Sequence, residues 1–168
     1  VEINALTIRG DNVCIAGDGP SATRFLFRVA GDRDPSIDFD VVVKDGKPVV
    51  WRGSAIAIEG TGKDTAPRHD IVIENLEIDG GAYPGNTGDR TWPVPPATGA
   101  GWDVTHKGIT ILSDRFYRRL QFANLHLHNF RGEIIYGGGD GIDEVLIENC
   151  DLHSTNGVGI SVGASQIV

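Results

Sequence analysis

Three of the five histidines sit in short alternating stretches beside carboxylates: His126-Leu127-His128 and Asp151-Leu152-His153, with Glu77-Ile78-Asp79 of the same form upstream. In each, one apolar residue separates two polar ones. That is the period of a strand with one buried face, so both polar side chains point outward. Stacked side by side, such strands place Glu77, His126 and Asp151 in one column and Asp79, His128 and His153 in the next, with roughly 5 Å between neighbours. Asp79, His128 and His153 then form a carboxylate and two imidazoles at one spot. Such a trio suits a divalent transition metal, or a general base tuned by the carboxylate. The competing reading is a mixed-charge ladder on a solvated strand, stabilising by roughly tenths of a kcal/mol per pair.

These columns require strands stacked in register, and the chain carries a repeat that would do it. Ile71-Val72-Ile73-Glu74-Asn75-Leu76-Glu77-Ile78, Leu120-Gln121-Phe122-Ala123-Asn124-Leu125-His126-Leu127 and Val145-Leu146-Ile147-Glu148-Asn149-Cys150-Asp151-Leu152 share one pattern: apolar-x-apolar, a two-residue break ending in Asn, then apolar-x-apolar. Asn124 and Asn149 lie 25 residues apart, and Gly132-Glu133-Ile134-Ile135-Tyr136 recurs as Gly157-Val158-Gly159-Ile160-Ser161 at the same offset. Asn75 lies 49 residues before Asn124, but Gly108-Ile109-Thr110-Ile111 fits the third strand of that earlier coil, 24 residues before Gly132. The surplus is one loop insertion over residues 80–106. A repeat of this length accommodates three short strands and their turns, so the pattern predicts a solenoid. The recurring Asn suits a tight corner, because Asn tolerates the left-handed conformation and its amide can pair with the Asn of the next coil. Asn12, before Val13-Cys14-Ile15, is expected to start the same corner earlier.

These features resemble the right-handed parallel β-helix of the pectate lyase, pectin lyase and polygalacturonase superfamily. The likeness covers residues 69–165 and is weaker over 1–60, where Asp32-Arg33-Asp34-Pro35 and Lys44-Asp45-Gly46-Lys47-Pro48 suggest turns between less regular strands. It implies an all-β fold: one right-handed parallel β-helix domain over 1–168, three strands and about 25 residues per coil, with one long corner insertion. It also implies a polysaccharide lying along the outer face of the sheet after the loop corner. The expected outward positions there are Thr110, Ile134, Tyr136 and Ser161, with Tyr136 as the acid/base or sugar-contacting group. The insertion supplies Tyr83, Trp92, Trp102 and His106 as candidate sugar contacts, and its four prolines favour a preformed wall. The alternative expectation is that Trp92 and Trp102 seal the loop onto the coil.

Lys107 and Arg131 are expected on the far side of the same corner. There they would neutralise a uronate carboxylate and acidify its α-proton, which β-elimination requires along with a base. The leading expectation is therefore a polysaccharide lyase, with Lys107, Arg131, His128, His153 and Tyr136 as catalytic candidates. Two alternatives stand: a glycoside hydrolase on the same fold, or a non-catalytic carbohydrate-binding, adhesin or tailspike-like module. Against the hydrolase, Gly157-Val158-Gly159-Ile160-Ser161-Val162-Gly163 resembles the G-H-G-I-S-I-G signature of polygalacturonases but has Val158 for the histidine. Arg131-Gly132 stands where that family carries its Asp-Asp pair. Ile160 and Val162 are then expected to fill the core.

Net charge is −8 over 168 residues, which argues against a nucleic-acid partner. Residues 107–131 are a local exception, with Lys107, Arg115, Arg118, Arg119 and Arg131 against Asp114 alone. No run of 18 apolar residues exists to insert in a membrane. The chain opens on the alternation Glu2-Ile3-Asn4-Ala5-Leu6-Thr7-Ile8 and stops at Gln166-Ile167-Val168, so a piece of a longer chain is expected. Its place would be extracellular or periplasmic, its partner a polysaccharide, and its state a monomer or an axial trimer. Cys14 should point outward and Cys150 inward, unbonded. Gly137-Gly138-Gly139-Asp140-Gly141-Ile142-Asp143 offers only two carboxylates and reads as a turn. Calcium or another divalent cation remains the candidate cofactor.

Overall fold

The computed structural model describes residues 1–3, 6–27, 41–44, 47–50, 54–59, 66–80, 107–112, 116–130, 133–155 and 159–164. These residues form β-strands and no helix. In chain order the strands are β1 (Glu2–Ile3), β2 (Leu6–Ile8), β3 (Val13–Ala16), β4 (Arg24–Phe27), β5 (Val41–Lys44), β6 (Lys47–Val50), β7 (Ser54–Ile58), β8 (Arg68–Asp79), β9 (Lys107–Ile111), β10 (Tyr117–Phe130), β11 (Ile135–Glu148), β12 (Asp151–Thr155) and β13 (Ile160–Ala164).

All but β5 and β6 join in parallel, along three ladders. In the first, Val13 of β3 faces Ile71 of β8, which faces Leu120 of β10, which faces Val145 of β11. In the second, Phe25 of β4 faces Ile78, Ile78 faces Leu127 and Leu127 faces Leu152 of β12, while β1 adds Glu2 beside Leu26. In the third, Leu6, Ile56, Ile109, Ile135 and Ile160 align across β2, β7, β9, β11 and β13. β5 and β6 form a separate antiparallel pair, with Val41 opposite Val50, on either side of the turn expected at residues 44–48. The apolar member of each ladder rung turns to a shared core, where Ile56, Ile71, Ile78, Ile109 and Phe122 are fully buried. Burial of side chains of this size stabilises by roughly 1.5–3 kcal/mol each.

Strands as long as β8 and β10 turn corners at single left-handed residues, which the register of paired residues skips. Asn75, Asn124 and Asn149 have φ of 57°, 50° and 51°. The Asn124 amide donates to the Asn75 side-chain oxygen at 2.6 Å, the expected ladder. A second corner consists of Asp70, Arg119 and Glu144, with φ of 57°, 50° and 51°. Asn12, φ 56°, belongs here and not with Asn75, because Val13 pairs with Ile71. In the Asn75 corner the corresponding residue is Gly17, where a Cβ would lie 2.4 Å from the Asn75 carbonyl oxygen.

The third ladder corrects further expectations. Ile109 pairs with Ile135 and Thr110 with Tyr136, a register two residues from the one the repeat suggested. A two-residue shift keeps every side chain on its face, so alternation alone could not detect it. Ile134 is buried in the core, not outward, and Thr110, between inward Ile109 and Ile111, faces outward but is buried. At the corner Ile134 and Ile135 both enter the core, and Thr110 is covered by its hydrogen bond to Ser54. Ile160, expected inside, is 40% exposed, while Val162 and Cys150 pack partly buried against the core. Cys14 is exposed, and both thiols are free.

Candidate functional site

The outer face of the second ladder carries the ionisable cluster. Parallel pairing sets His126 between Glu77 and Asp151, and His128 between Asp79 and His153. The three imidazoles gather into one stack: His126 and His128 have centroids 4.4 Å apart, His126 and His153 5.1 Å, and His128 and His153 5.2 Å.

Burial grades across this face. Asp79 is fully buried because Arg24 of β4, standing beside Glu77 in register, spreads its guanidinium over both Glu77 (3.0 Å) and Asp79. The Asn129 amide closes Asp79 from the other side at 2.9 Å. Asn129 itself sits at φ 61° over Gly80, where a Cβ would meet the Asn129 carbonyl oxygen at 2.4 Å, so only glycine lets the two backbones approach this closely. His128 is 9% exposed, His126 half-buried, and His153 and Asp151 exposed.

Hydrogen bonding distinguishes the rings. The Asn129 amide nitrogen, which also donates to Asp79, lies 2.7 Å from His128 Nδ1. An amide nitrogen can only donate, so Nδ1 accepts and Nε2 carries the hydrogen. That Nε2–H donates to Glu77 Oε1 at 2.9 Å. Both His128 nitrogens are therefore engaged. By contrast, His126 and His153 point Nε2 at Nε2 across 2.9 Å, so one ring donates and the other accepts. Asp151 Oδ2 stands 3.7 Å from His126 Nε2.

Among the described residues, two overlapping groups have ligand atoms within 4.8 Å of one another: Glu77, His126 and His128, and His126, Asp151 and His153. Asp79 is in neither, unlike the trio read from the sequence. His126, which sequence reasoning placed in the column but did not single out, is common to both. Its signal was present in the His-x-His spacing, where His126 and His128 share a face. Calcium does not fit this nitrogen-rich set, since it takes six to eight oxygens. In the glycine run, Asp143 pairs with Arg118 at 3.4 Å, and the Asp140 side chain lies outside the described residues.

Lys107 and Tyr136 form a second cluster on the third ladder. Lys107 is 5% exposed, its Nζ lies 2.6 Å from Glu133 Oε2, and it sits 3.5 Å from the Tyr136 ring centroid. Its charge is thus already matched by Glu133, a partner the sequence reading missed, and by the ring face. Arg131, Tyr83, Trp92, Trp102 and His106 lie outside the described residues. No helix among the described residues is long and apolar enough to cross a membrane.

Comparisons with protein-family models, with curated proteins and with solved structures find no match to this chain.

Proposed function

We propose that the three ladders are the sheets of a right-handed parallel β-helix of the pectin-lyase-like kind. Its coil is 25 residues where Leu120 meets Val145 and where Ile135 meets Ile160. We further propose that the protein is extracellular or periplasmic and cleaves a uronate-containing polysaccharide by β-elimination. The observation that carries this reading is the His126–His153 pair, an accepting and a donating imidazole side by side on an outward face. β-Elimination uses a proton acceptor and a proton donor, and such a pair supplies both. The accepting Nε2 takes the α-proton of the uronate, a carbon–carbon double bond forms, and the glycosidic carbon–oxygen bond breaks. The leaving oxygen keeps that electron pair and takes a proton from the donating Nε2–H.

The base role assigned to His128 on sequence grounds passes to His126, because both His128 nitrogens are occupied in holding the stack. His153 keeps its role. Lys107 and Tyr136 become a structural pair, leaving Arg131 as the cation for the uronate carboxylate and Tyr83, Trp92, Trp102 and His106 as sugar contacts in this proposal.

Mass spectrometry of products from pectate, alginate and glycosaminoglycan digests tests it. Elimination leaves an unsaturated terminal uronate, lighter by one water than a hydrolysis product. His126→Ala and His153→Ala should each slow product formation by about 10²–10⁴-fold. Hydrated products, or variants as fast as the parent, would overturn the assignment.

A further inference from the structure

We propose that His126, His153 and Asp151 form a binding site for one divalent transition-metal ion of the zinc, copper or nickel kind. Their three ligand atoms already converge: Nε2 to Nε2 is 2.9 Å, and His126 Nε2 to Asp151 Oδ2 is 3.7 Å. Ligands at about 2.0–2.1 Å from a tetrahedral ion stand roughly 3.3 Å from one another. These two spacings bracket that value, and all three ligand atoms lie within 4.8 Å of one another, so the ion enters by side-chain adjustment alone.

The overlapping group is a poorer site. Within it, His128 presents a hydrogen from Nε2 and accepts one at Nδ1, while Glu77 is held by Arg24 and His128 together. In the outer group the two rings meet Nε2 to Nε2. The ring that now donates moves its hydrogen to Nδ1, and both Nε2 lone pairs turn to the ion. Asp151, with 71% of its side chain exposed, gives a negative charge at little desolvation cost. Two imidazoles with one carboxylate favour zinc, copper or nickel over calcium or magnesium. Rigidity comes from the strand ladder, which pairs His126 with Asp151, and from the His128 ring stacked against both ligand rings at 4.4 and 5.2 Å. An ion on this exposed face keeps a coordination position for water or a substrate oxygen.

Binding goes beyond the elimination reading and stands without it. The ion would occupy both Nε2 atoms needed for proton transfer, so it should inhibit elimination, and that consequence alone rests on the earlier reading.

The test is titration of the full chain with Co²⁺, followed by its visible absorption, and displacement by Zn²⁺ followed by calorimetry. One ion per chain is expected. His126→Ala and His153→Ala, with folding confirmed by circular dichroism, should each weaken binding by more than the roughly 10–100-fold that loss of a mere supporting group causes, and His69→Ala should leave it unchanged. His153 is exposed, so its truncation tests the site without disturbing the core. Absence of saturable binding would overturn the proposal, as would binding that survives His153→Ala within about tenfold. Neither readout uses catalysis.

Discussion

His126 and His153 stand on adjacent strands with their Nε2 atoms 2.9 Å apart, while His128, stacked beside both, has each nitrogen in a hydrogen bond. One ring is fixed in a single tautomer and the other two are left to share a hydrogen. The difference arises from Asn129, whose left-handed backbone and close approach to Gly80 aim its amide at His128 and Asp79 together. The geometry of a corner thus sets the chemistry of an outward face.

The Asn124 corner should respond to backbone conformation more than to side-chain size. Asn124 combines φ of 50° with an amide bond to Asn75. Asn124→Ala loses both and should destabilise by about 2–3 kcal/mol. Asn124→Gly keeps the conformation and should lose only about 1 kcal/mol, the hydrogen bond. Urea unfolding of the two variants checks the order, and equal effects would contradict the explanation.

At the neighbouring corner, the Arg119 guanidinium on Asp70, aided by His69, holds the Asp70 carboxyl well below the usual carboxylate range. A depressed folded-state value means that the stabilisation is present above the unfolded value, near about pH 4, and is lost as pH falls below it. Asp70→Asn preserves a residue type that tolerates φ of 57° while removing the charge. Thermal unfolding should show a shallower loss of stability for this variant than for the parent between about pH 4 and pH 2. Parallel curves would exclude Asp70 as a contributor.

Lys107 and Glu133 have side-chain exposures of only 6% and 13%. Removing one partner strands the other, so Lys107→Met or Glu133→Leu should destabilise by about 3 kcal/mol, whereas the double change Lys107→Met with Glu133→Leu should recover most of that loss. Chemical denaturation of the parent and the three variants gives the coupling. A Lys107→Met protein of parental stability but impaired turnover would instead return Lys107 to the catalytic set.

The alternation of Ile71, Leu120 and Val145 made the first ladder legible, because burial on one face imposes a period of two that no other element shares. Asn75, Asn124 and Asn149 were legible as corners for the same kind of reason, a residue type matched to a conformation. Arg119 and Glu144 were not, since neither side chain favours left-handed φ and only the tertiary pairing imposes it there. Asn12 misled because two different corners accept asparagine. The histidine columns were correctly placed in register, but the burial of Asp79 depends on Arg24, 55 residues upstream, and on Asn129, and no local pattern announces either. The Lys107–Glu133 pair was hidden for a related reason, the even register shift that alternation cannot see.

The most direct measurement is ultraviolet absorbance while the full-length protein is incubated with a panel of pectate, alginate, glycosaminoglycan and bacterial exopolysaccharides in the presence of a metal chelator. The expected result is a rise from unsaturated uronate on at least one polymer, reduced at least about 10²-fold in His126→Ala and His153→Ala. No rise on any uronate polymer, or a rise that both variants retain, would contradict the assignment of elimination to this pair.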